Sequence, residues 1–482
     1  MAAAKGVEVA HARALSPTSN SILEIRSSKL PPQTTSRVRF LLVFWLFILS
    51  SVAFLDRVNI SIAGSSIRGE YRFTNVELGW IFSSFLVGYA LFQTVGGRLA
   101  DRLGPRRVLA AGVLWWGIFT ALTAAVPSGI AAALVLFISV RFLLGAGEAV
   151  IYPASNQFVA RWIPTQERGI ANGWIFAGVG AGAGFTPPLV TYIMLHHGWR
   201  ASFWVCALIG VASGTVWYLI ARDRPDQHPR VSPAELHTIN SGLSLQGDDR
   251  SKNPVQARNQ GGELVSWLAM LKSRDVMAVT VSYFCYGYVA WIFFSWFYIY
   301  LATVRGLNLK ASAFYAMLPF LAMAACCPLG GLISDRLTSW RGARVGRCGV
   351  AAVSIALAAV FLLFGSEVAG ARLASVVLAG GAGALYLSQS SFWSVTADIA
   401  GPSSGSVSGF MNMGAQLGGA LTASLTPAIA TRFGWTASFL VAAALCGVGA
   451  LAWLFVDPAR TLAGQNTPGS RPAVARAPMG RS

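Results

Sequence analysis

The sequence predicts an all-α membrane protein whose twelve transmembrane helices form two pseudo-symmetric six-helix halves. Three observations carry that prediction. The 482-residue chain is 54% hydrophobic and only 12% charged, with a mean hydropathy of +0.56, whereas charged residues make up roughly 25% of soluble domains. Twelve apolar stretches each approach the ~20 residues needed to cross a bilayer core. Local signatures in the first six stretches return in the last six.

Taken in order, residues 1–39 are polar, with Lys5, Arg13, Arg26, Lys29, Arg37 and Arg39. They lack the early apolar core of a secretory signal peptide, so a cytoplasmic N-terminal tail followed by a retained first helix is expected. The first half, 40–221, holds spans at 40–62, 76–98, 107–126, 130–153, 168–194 and 200–221. Residues 222–272 are polar and rich in Pro, Arg, Gln and Asn, which reads as a cytoplasmic connector and not a catalytic domain. Within it, Ser232-Pro233-Ala234-Glu235 puts a hydroxyl at the N-cap, Pro at N1 and Glu at N3, a capping box that should start a short surface helix through Leu236 and Ile239. The second half, 273–456, holds spans at 275–301, 310–334, 345–366, 372–397, 404–431 and 435–456. Residues 457–482, with Gly, Pro, Ala and Arg, are expected as a cytoplasmic tail without fixed structure.

The halves echo each other at a nearly constant offset. Gly96-Gly97-Arg98-Leu99-Ala100-Asp101-Arg102-Leu103 after span 2 returns as Gly330-Gly331-Leu332-Ile333-Ser334-Asp335-Arg336-Leu337 after span 8. Gly198-Trp199-Arg200-Ala201-Ser202-Phe203 before span 6 matches Gly434-Trp435-Thr436-Ala437-Ser438-Phe439 before span 12, and Pro187 in span 5 corresponds to Pro427 in span 11. Two six-helix halves related by an axis along the membrane normal are a transporter plan, with the solute near mid-membrane between them.

The net charge of +18 could suggest a nucleic-acid partner, but its distribution excludes one. With both termini inside, 28 of the 37 Lys and Arg residues fall in cytoplasmic segments and 7 outside, while Arg57 and Arg141 lie within spans. That asymmetry orients a protein of the inner (plasma) membrane. The six cysteines sit in or beside apolar spans without metal-like spacing, so neither a disulfide nor a metal is expected. There is no phosphate-binding Gly-x-x-x-x-Gly-Lys-Ser/Thr loop and no nucleophile–base set, so neither ATP, nor another cofactor, nor an enzyme activity is expected. The partners expected are a lipid bilayer, a small organic anion and a proton, and the chain is expected to be a monomer.

Four of the 56 charged residues lie deep inside apolar spans: Asp56 and Arg57 in span 1, Arg141 and Glu148 in span 4. Each costs roughly 2.5–3.5 kcal/mol at a helix centre, so such groups face a bundle interior and pair with one another. The two acids and two bases cancel, which suits exchange of a proton against a solute carboxylate. Arg141 and Glu148 are seven residues apart and share one helix face across a rise of about 10.5 Å. Arg141 offers a planar fork suited to a carboxylate, and Glu148, set among Gly145, Gly147 and Ala149, is suited to carry a proton. Asp56 and Arg57 point about 100° apart on a helix, so their partners should lie across the bundle. Arg57 is expected to pair with Glu148 or Asp56, with Asp56 the second proton site. The alternative is a static network that only fixes packing, but apolar packing could replace that at little cost to stability.

In the repeated element, adjacent glycines allow close helix contact. Asp101, and by repetition Asp335, can accept hydrogen bonds from the N-terminus of a neighbouring helix, with Arg102, Arg106, Arg107 and Arg336 joining a charge latch that opens once per cycle.

Gly97-x-Leu99-Ala100-Asp101-Arg102-x-Gly104-x-Arg106-Arg107 resembles the loop 2–3 motif of the major facilitator superfamily, with Pro105 where a basic residue is usual. Asp56-Arg57-Val58-Asn59-Ile60-Ser61-Ile62-Ala63 and Arg141-Phe142-Leu143-Leu144-Gly145-Ala146-Gly147-Glu148-Ala149 look like that superfamily's anion:cation symporter family, which includes bacterial galactonate, glucarate and hexuronate transporters. Gln166-Glu167-Arg168-Gly169, Pro187-Pro188, Gly198-Trp199-Arg200 and Asp226-Gln227-His228-Pro229 extend the resemblance over about residues 37–456. It implies the major facilitator fold, proton-coupled uptake of a sugar acid such as a hexonate, hexarate or hexuronate, and the same carboxylate pair, Asp56 and Glu148. It further implies solute contacts from Tyr89, Ser390, Trp393 and Asn412, with Gln389 and Gln416 as looser candidates. The span 7 aromatics Tyr283, Tyr286, Tyr288, Trp291 and Trp296 could form a gate or anchor the helix at the interface.

Two departures bear on the solute. Span 5 reads Phe176-Ala177-Gly178-Val179 where Asn, Ser and Gln are usual, and Phe54 stands where an aromatic hydroxyl is often found. Losing hydrogen-bonding groups weakens recognition of a polyhydroxylated chain, which keeps an aromatic or less hydroxylated carboxylate open as the solute. Efflux or exchange of an anion is the other transport alternative, and a non-transporting receptor fits the balanced charges poorly.

Overall fold

A computed structural model of the chain describes residues 36–244 and 264–462. Most of the expected N-terminal tail, the middle of the connector and the C-terminal tail beyond residue 462 lie outside the described residues.

Twelve long helical segments run back and forth through the molecule. The first half comprises span 1 (Val38–Tyr71), span 2 (Asn75–Leu103), span 3 (Pro105–Ala125), span 4 (Ala133–Glu148, continued by Ile151–Trp162), span 5 (Arg168–His197) and span 6 (Trp199–Ile220). The second half comprises span 7 (Arg274–Ser295, with short turns to Val304), span 8 (Leu309–Arg341), span 9 (Arg344–Gly349 as a π-turn, then Val350–Glu367), span 10 (Ala371–Leu387, then Gln389–Ala400), span 11 (Ser404–Phe433) and span 12 (Trp435–Ala452). By length and hydropathy alone, ten segments among the described residues could cross a membrane. The difference from twelve has a simple origin. Spans 10 and 11 join into one apolar segment, Ala371–Phe433, and Arg168–His197 is diluted by its glycines and by Pro187 and Pro188.

Local chemistry sets the joints. Thr74 and Glu77 form a reciprocal capping box at the start of span 2. The repeated Gly-Trp pairs mark equivalent corners: Gly198 (φ +80°) and Gly434 (φ +84°) adopt the left-handed region that only glycine enters freely, turning span 5 into 6 and span 11 into 12. Spans 5 and 8 pack together across the midline, as do spans 2 and 11, the pseudo-symmetric crossings that the duplication demands.

Two expectations need correction. The helix of span 4 does not stop at 153 but runs to Trp162, carrying Ser155, Asn156 and Gln157 into the buried face between halves; these polar residues lie beyond the apolar run yet remain helical. The connector helix forms as Pro233–Ser244 with Ser232 accepting from the Glu235 amide at 3.2 Å, but the Glu235 carboxylate does not turn back to Ser232. It is fully buried against the start of span 1, accepting from Ser36 Oγ at 2.6 Å, the amides of Val38 and Arg39 at 3.1 and 3.2 Å, and the Arg39 guanidinium at 3.2 Å. Ser36 Oγ in turn accepts from the Ser232 amide. One carboxylate thus serves N–H groups at the start of a long helix that have no partner within it.

Candidate functional site

Between the halves lies a cavity of about 250 Å³ whose wall is drawn from spans 1, 2, 4, 5, 7, 8, 10 and 11. Ser61 lines it, and Ser65 and Arg68, one and two turns further along the same face of span 1, are exposed. This polar stripe leads from the cavity toward the end of the bundle opposite the connector.

Of the residues named from the sequence, Arg57, Tyr89, Asn412, Gln389, Gln416, Tyr283, Tyr286 and Trp291 line the cavity. Arg141, Ser390, Trp393, Tyr288 and Trp296 do not. Ser390 instead donates to the Cys327 carbonyl at 3.5 Å, a helix-packing contact. Trp393 stands one layer back: its indole N–H donates to Tyr283 Oη at 3.1 Å, and its ring meets Phe176 at 5.0 Å. Asn412 donates to Gln93 Oε1 at 2.8 Å across the midline.

The four intramembrane charges come together on the first half's side of the cavity. Arg57 Nε donates to Glu148 Oε1 at 2.5 Å, with Glu148 wholly buried and Arg57 slightly exposed to the cavity. The Arg57 guanidinium lies 4.2 Å from the centre of the Tyr89 ring, and Phe85 touches both guanidinium groups, at 5.4 Å for Arg57 and 4.9 Å for Arg141. Asp56 and Arg141 sit behind this layer, 1% and 2% exposed. Both oxygens of Asp56, and Nε and Nη1 of Arg141, are buried without a hydrogen-bond partner. Helix phase explains the arrangement. Turning Arg57 to the cavity points Asp56 roughly 100° away, toward span 4. The guanidinium at the cavity surface is therefore that of Arg57, and Arg141 is its counterpart in the interior.

At the connector end the halves are fastened together. Asp101 accepts from the amides of Gly405 and Ser406 at 2.9 and 2.8 Å and from Ser406 Oγ at 2.5 Å, at the first turn of span 11. Its repeat, Asp335, accepts from the amides of Gly169 and Ile170 at 2.9 and 2.6 Å, at the first turn of span 5. A carboxylate at a helix N-terminus meets unpaired N–H groups and the positive end of the helix dipole. Gly97 and Gly331 make the approach possible: a Cβ on either would collide with the carbonyl oxygen of Gly405 or Gly169.

The cations of this latch differ from those proposed. Arg102, Arg107 and Arg336 are exposed, and Arg106 donates to the Tyr218 carbonyl at 2.9 Å within its own half. The charges come from Arg347, which pairs with Asp335 at 2.6 Å, and from Arg168, which pairs with Asp398 at 2.5 Å, all four groups being nearly or fully buried. Arg347 Nη2 also donates to the Thr165 carbonyl across the midline. Arg168 belongs to a segment quoted above only for its resemblance, while Arg347 and Asp398 carried no repeat or motif. Tyr152 and Tyr386, which line the cavity, were also missed because a tyrosine in an apolar span carries no sequence signal of its direction.

The sequence profile described as "Major Facilitator Superfamily" matches residues 46–423 and 343–479. A probable sulfoacetate transporter of Cupriavidus necator is 33% identical over 88% of this chain and 95% of its own length. The hexuronate transporter of Bacillus subtilis is 27% identical over 88% of this chain and 96% of its own. Among solved structures, the proton:xylose symporter XylE superposes with a TM-score of 0.68 over 88% of this chain and 97% of its own at 15% identity, a likeness of fold. The chain belongs to the Major Facilitator Superfamily and is a multi-pass membrane transporter of the anion type, not an enzyme.

Proposed function

We propose that the protein is a proton-coupled symporter that takes up a small organic anion by alternating access. The observation that carries this reading is that Arg57, on the cavity wall, is paired with the buried Glu148 behind it. A cation already neutralised by Glu148 has little attraction for a second carboxylate; when Glu148 takes a proton, Arg57 is released and an anion can replace it. Solute and proton then occupy the site together. Asp56, next in the chain and buried beside Arg141, is the second carboxyl of the cycle. With the connector on the cytoplasmic side, as the excess of Lys and Arg there supports, the latch at Asp101 and Asp335 closes the cytoplasmic exit and the Ser61–Arg68 stripe marks the way in. The names of the relatives support an organic anion as cargo.

Purified protein in proteoliposomes, given a proton gradient and a panel of labelled carboxylates, tests this. Accumulation of at least one acid that collapses with a protonophore and is indifferent to sodium is expected. Uptake that follows a sodium gradient instead, or that only equilibrates, overturns the coupling.

A further inference from the structure

The cavity's own chemistry narrows the cargo further. Its wall has twenty residues, of which nine are aromatic and Arg57 is the single charged one. A dianion would bring a second carboxylate with no cation to meet it, and an uncompensated buried charge is strongly disfavoured. A polyhydroxylated acid fares little better. Any of its hydroxyls lying along Phe54, Phe176, Phe294 and Trp291, away from Ser61, Asn412 and Gln416, would lack a partner, and each one buried so costs about 1–3 kcal/mol.

The buried polar atoms left unpaired in the wall fall in two places. On the first half, Arg57 Nη2 and Tyr89 Oη are buried without a hydrogen-bond partner. On the second half, so are Tyr386 Oη and Gln389 Oε1, both belonging to span 10 residues at most 2% exposed. Gln389 is fixed in place, because its Nε2 donates to Tyr283 Oη at 2.9 Å. Between the two places the wall offers flat faces: Tyr152 and Phe176 are stacked 4.9 Å apart with planes 18° from parallel, and Tyr283 and Tyr286 at 5.1 Å.

We infer that the solute is a single-ring aromatic monoanion bearing a hydroxyl on the side of the ring away from its acid group. The inference rests on the carrier reading above. The carboxylate meets Arg57 and Tyr89 in the first half. The ring fills the aromatic middle, where stacked or edge-on contacts add about 0.5–1.5 kcal/mol beyond area burial. The hydroxyl donates to Gln389 Oε1 and accepts from Tyr386 Oη in the second half. A cavity of about 250 Å³ has room for a single ring and its two polar ends. Such a solute touches both halves at once, so its binding is sensitive to their relative position.

Binding to the full-length protein in nanodiscs, by calorimetry at fixed pH, tests this with 4-hydroxybenzoate, benzoate, galacturonate and glucarate. 4-Hydroxybenzoate is expected to bind at least about tenfold tighter than either sugar acid, and tighter than benzoate by up to about tenfold for each of its two hydroxyl hydrogen bonds. Gln389→Leu should reduce the preference for 4-hydroxybenzoate over benzoate, and Tyr386→Phe, nearly isosteric, should reduce it as well. Tighter binding of galacturonate or glucarate, or a hydroxyl preference that survives both substitutions, overturns the inference. Transport separates the two readings. Proton-driven accumulation of a sugar acid but not of hydroxybenzoate sinks the aromatic assignment and leaves the carrier intact; tight hydroxybenzoate binding without proton-driven movement does the reverse.

Discussion

Replacing Glu148 by Gln removes the charge that occupies Arg57 while keeping the side chain's size. In the parent, the 2.5 Å contact between Arg57 Nε and Glu148 Oε1 must be surrendered before a solute carboxylate can take the guanidinium. Below the pH at which Glu148 ionises in the empty protein, Arg57 is free and affinity is highest. Above it, each anion bound must bring one proton, so affinity falls tenfold per pH unit, or 1.36 kcal/mol. From that threshold upward, a two-unit rise should weaken binding about a hundredfold in the parent, and the Gln variant should stay flat. The same linkage sets the transport result: an electroneutral one-to-one symporter can concentrate solute about tenfold on a gradient of one pH unit, whereas Glu148→Gln should exchange labelled solute but bring it only to equal concentrations. The variant also leaves Arg57 buried with its charge uncompensated, which is costly, so bound anion should raise its melting temperature more than the parent's. Measured together in proteoliposomes and by thermal unfolding, these form one signature. A variant that keeps the tenfold slope, or still accumulates solute, shows Glu148 to be structural and refutes the exchange of counter-ions proposed here.

Two further outcomes probe the frame around the site. Gly97→Ala places a methyl group against the Gly405 carbonyl and should open the connector end; a cysteine put at the buried Asn156 should then react with a permeant maleimide about tenfold faster, the signature of a population shift of 1.4 kcal/mol, and an unchanged rate would show that the latch does not depend on this contact. Glu235→Gln weakens the charge-assisted bonds to Ser36, Val38 and Arg39 and should cost about 1–3 kcal/mol, read as a lower melting temperature, while Arg336→Gln on the exposed face should stay within about 0.5 kcal/mol.

The fold was legible in the sequence because a bilayer imposes a single period on it: an apolar run of fixed length, then a charged loop. Where that rule loosens, the reading slipped. Span 4 continues nine residues past its apolar run because Ser155, Asn156 and Gln157 are buried against the other half and not in lipid. Asn156 donates to Thr396 Oγ1 at 3.0 Å, and Gln157 Nε2 to the Pro402 carbonyl at 3.0 Å. Polarity there reports a protein–protein seam inside the molecule, which hydropathy reads as loop. The Glu235 carboxylate illustrates the same limit at short range. Its spacing from Ser232 fits a capping box, but Ser36, 199 residues away in sequence, competes for it and wins.

The site divides along a similar line. Asp56, Arg57, Arg141 and Glu148 stand out because charge in an apolar span is expensive, and the two aspartates of the latch stand out because they recur. What no spacing rule supplies is direction. Adjacent residues on a helix face different neighbours, and the choice between Arg57 and Arg141 as the group at the cavity surface depends on how span 1 is rotated against span 4. The latch shows the complementary difficulty. Asp335 recurs from Asp101, but the bond that crosses the midline beside it does not: next to the amides that Asp335 holds, Arg168 of the first half pairs with Asp398 of the second, whereas at Asp101 Ser406 Oγ supplies the crossing bond. A duplicated chain thus keeps the same grip on a helix N-terminus at both positions while fastening one with a hydroxyl and the other with a buried ion pair. Breaking a buried pair by losing one partner costs about 3–5 kcal/mol, against roughly 1.5–3 kcal/mol for a hydrogen bond to a charged group. The two sides of the connector end are therefore unequal in strength, and the Asp101 side, where span 2 meets span 11, is the one that should part first as the transporter turns.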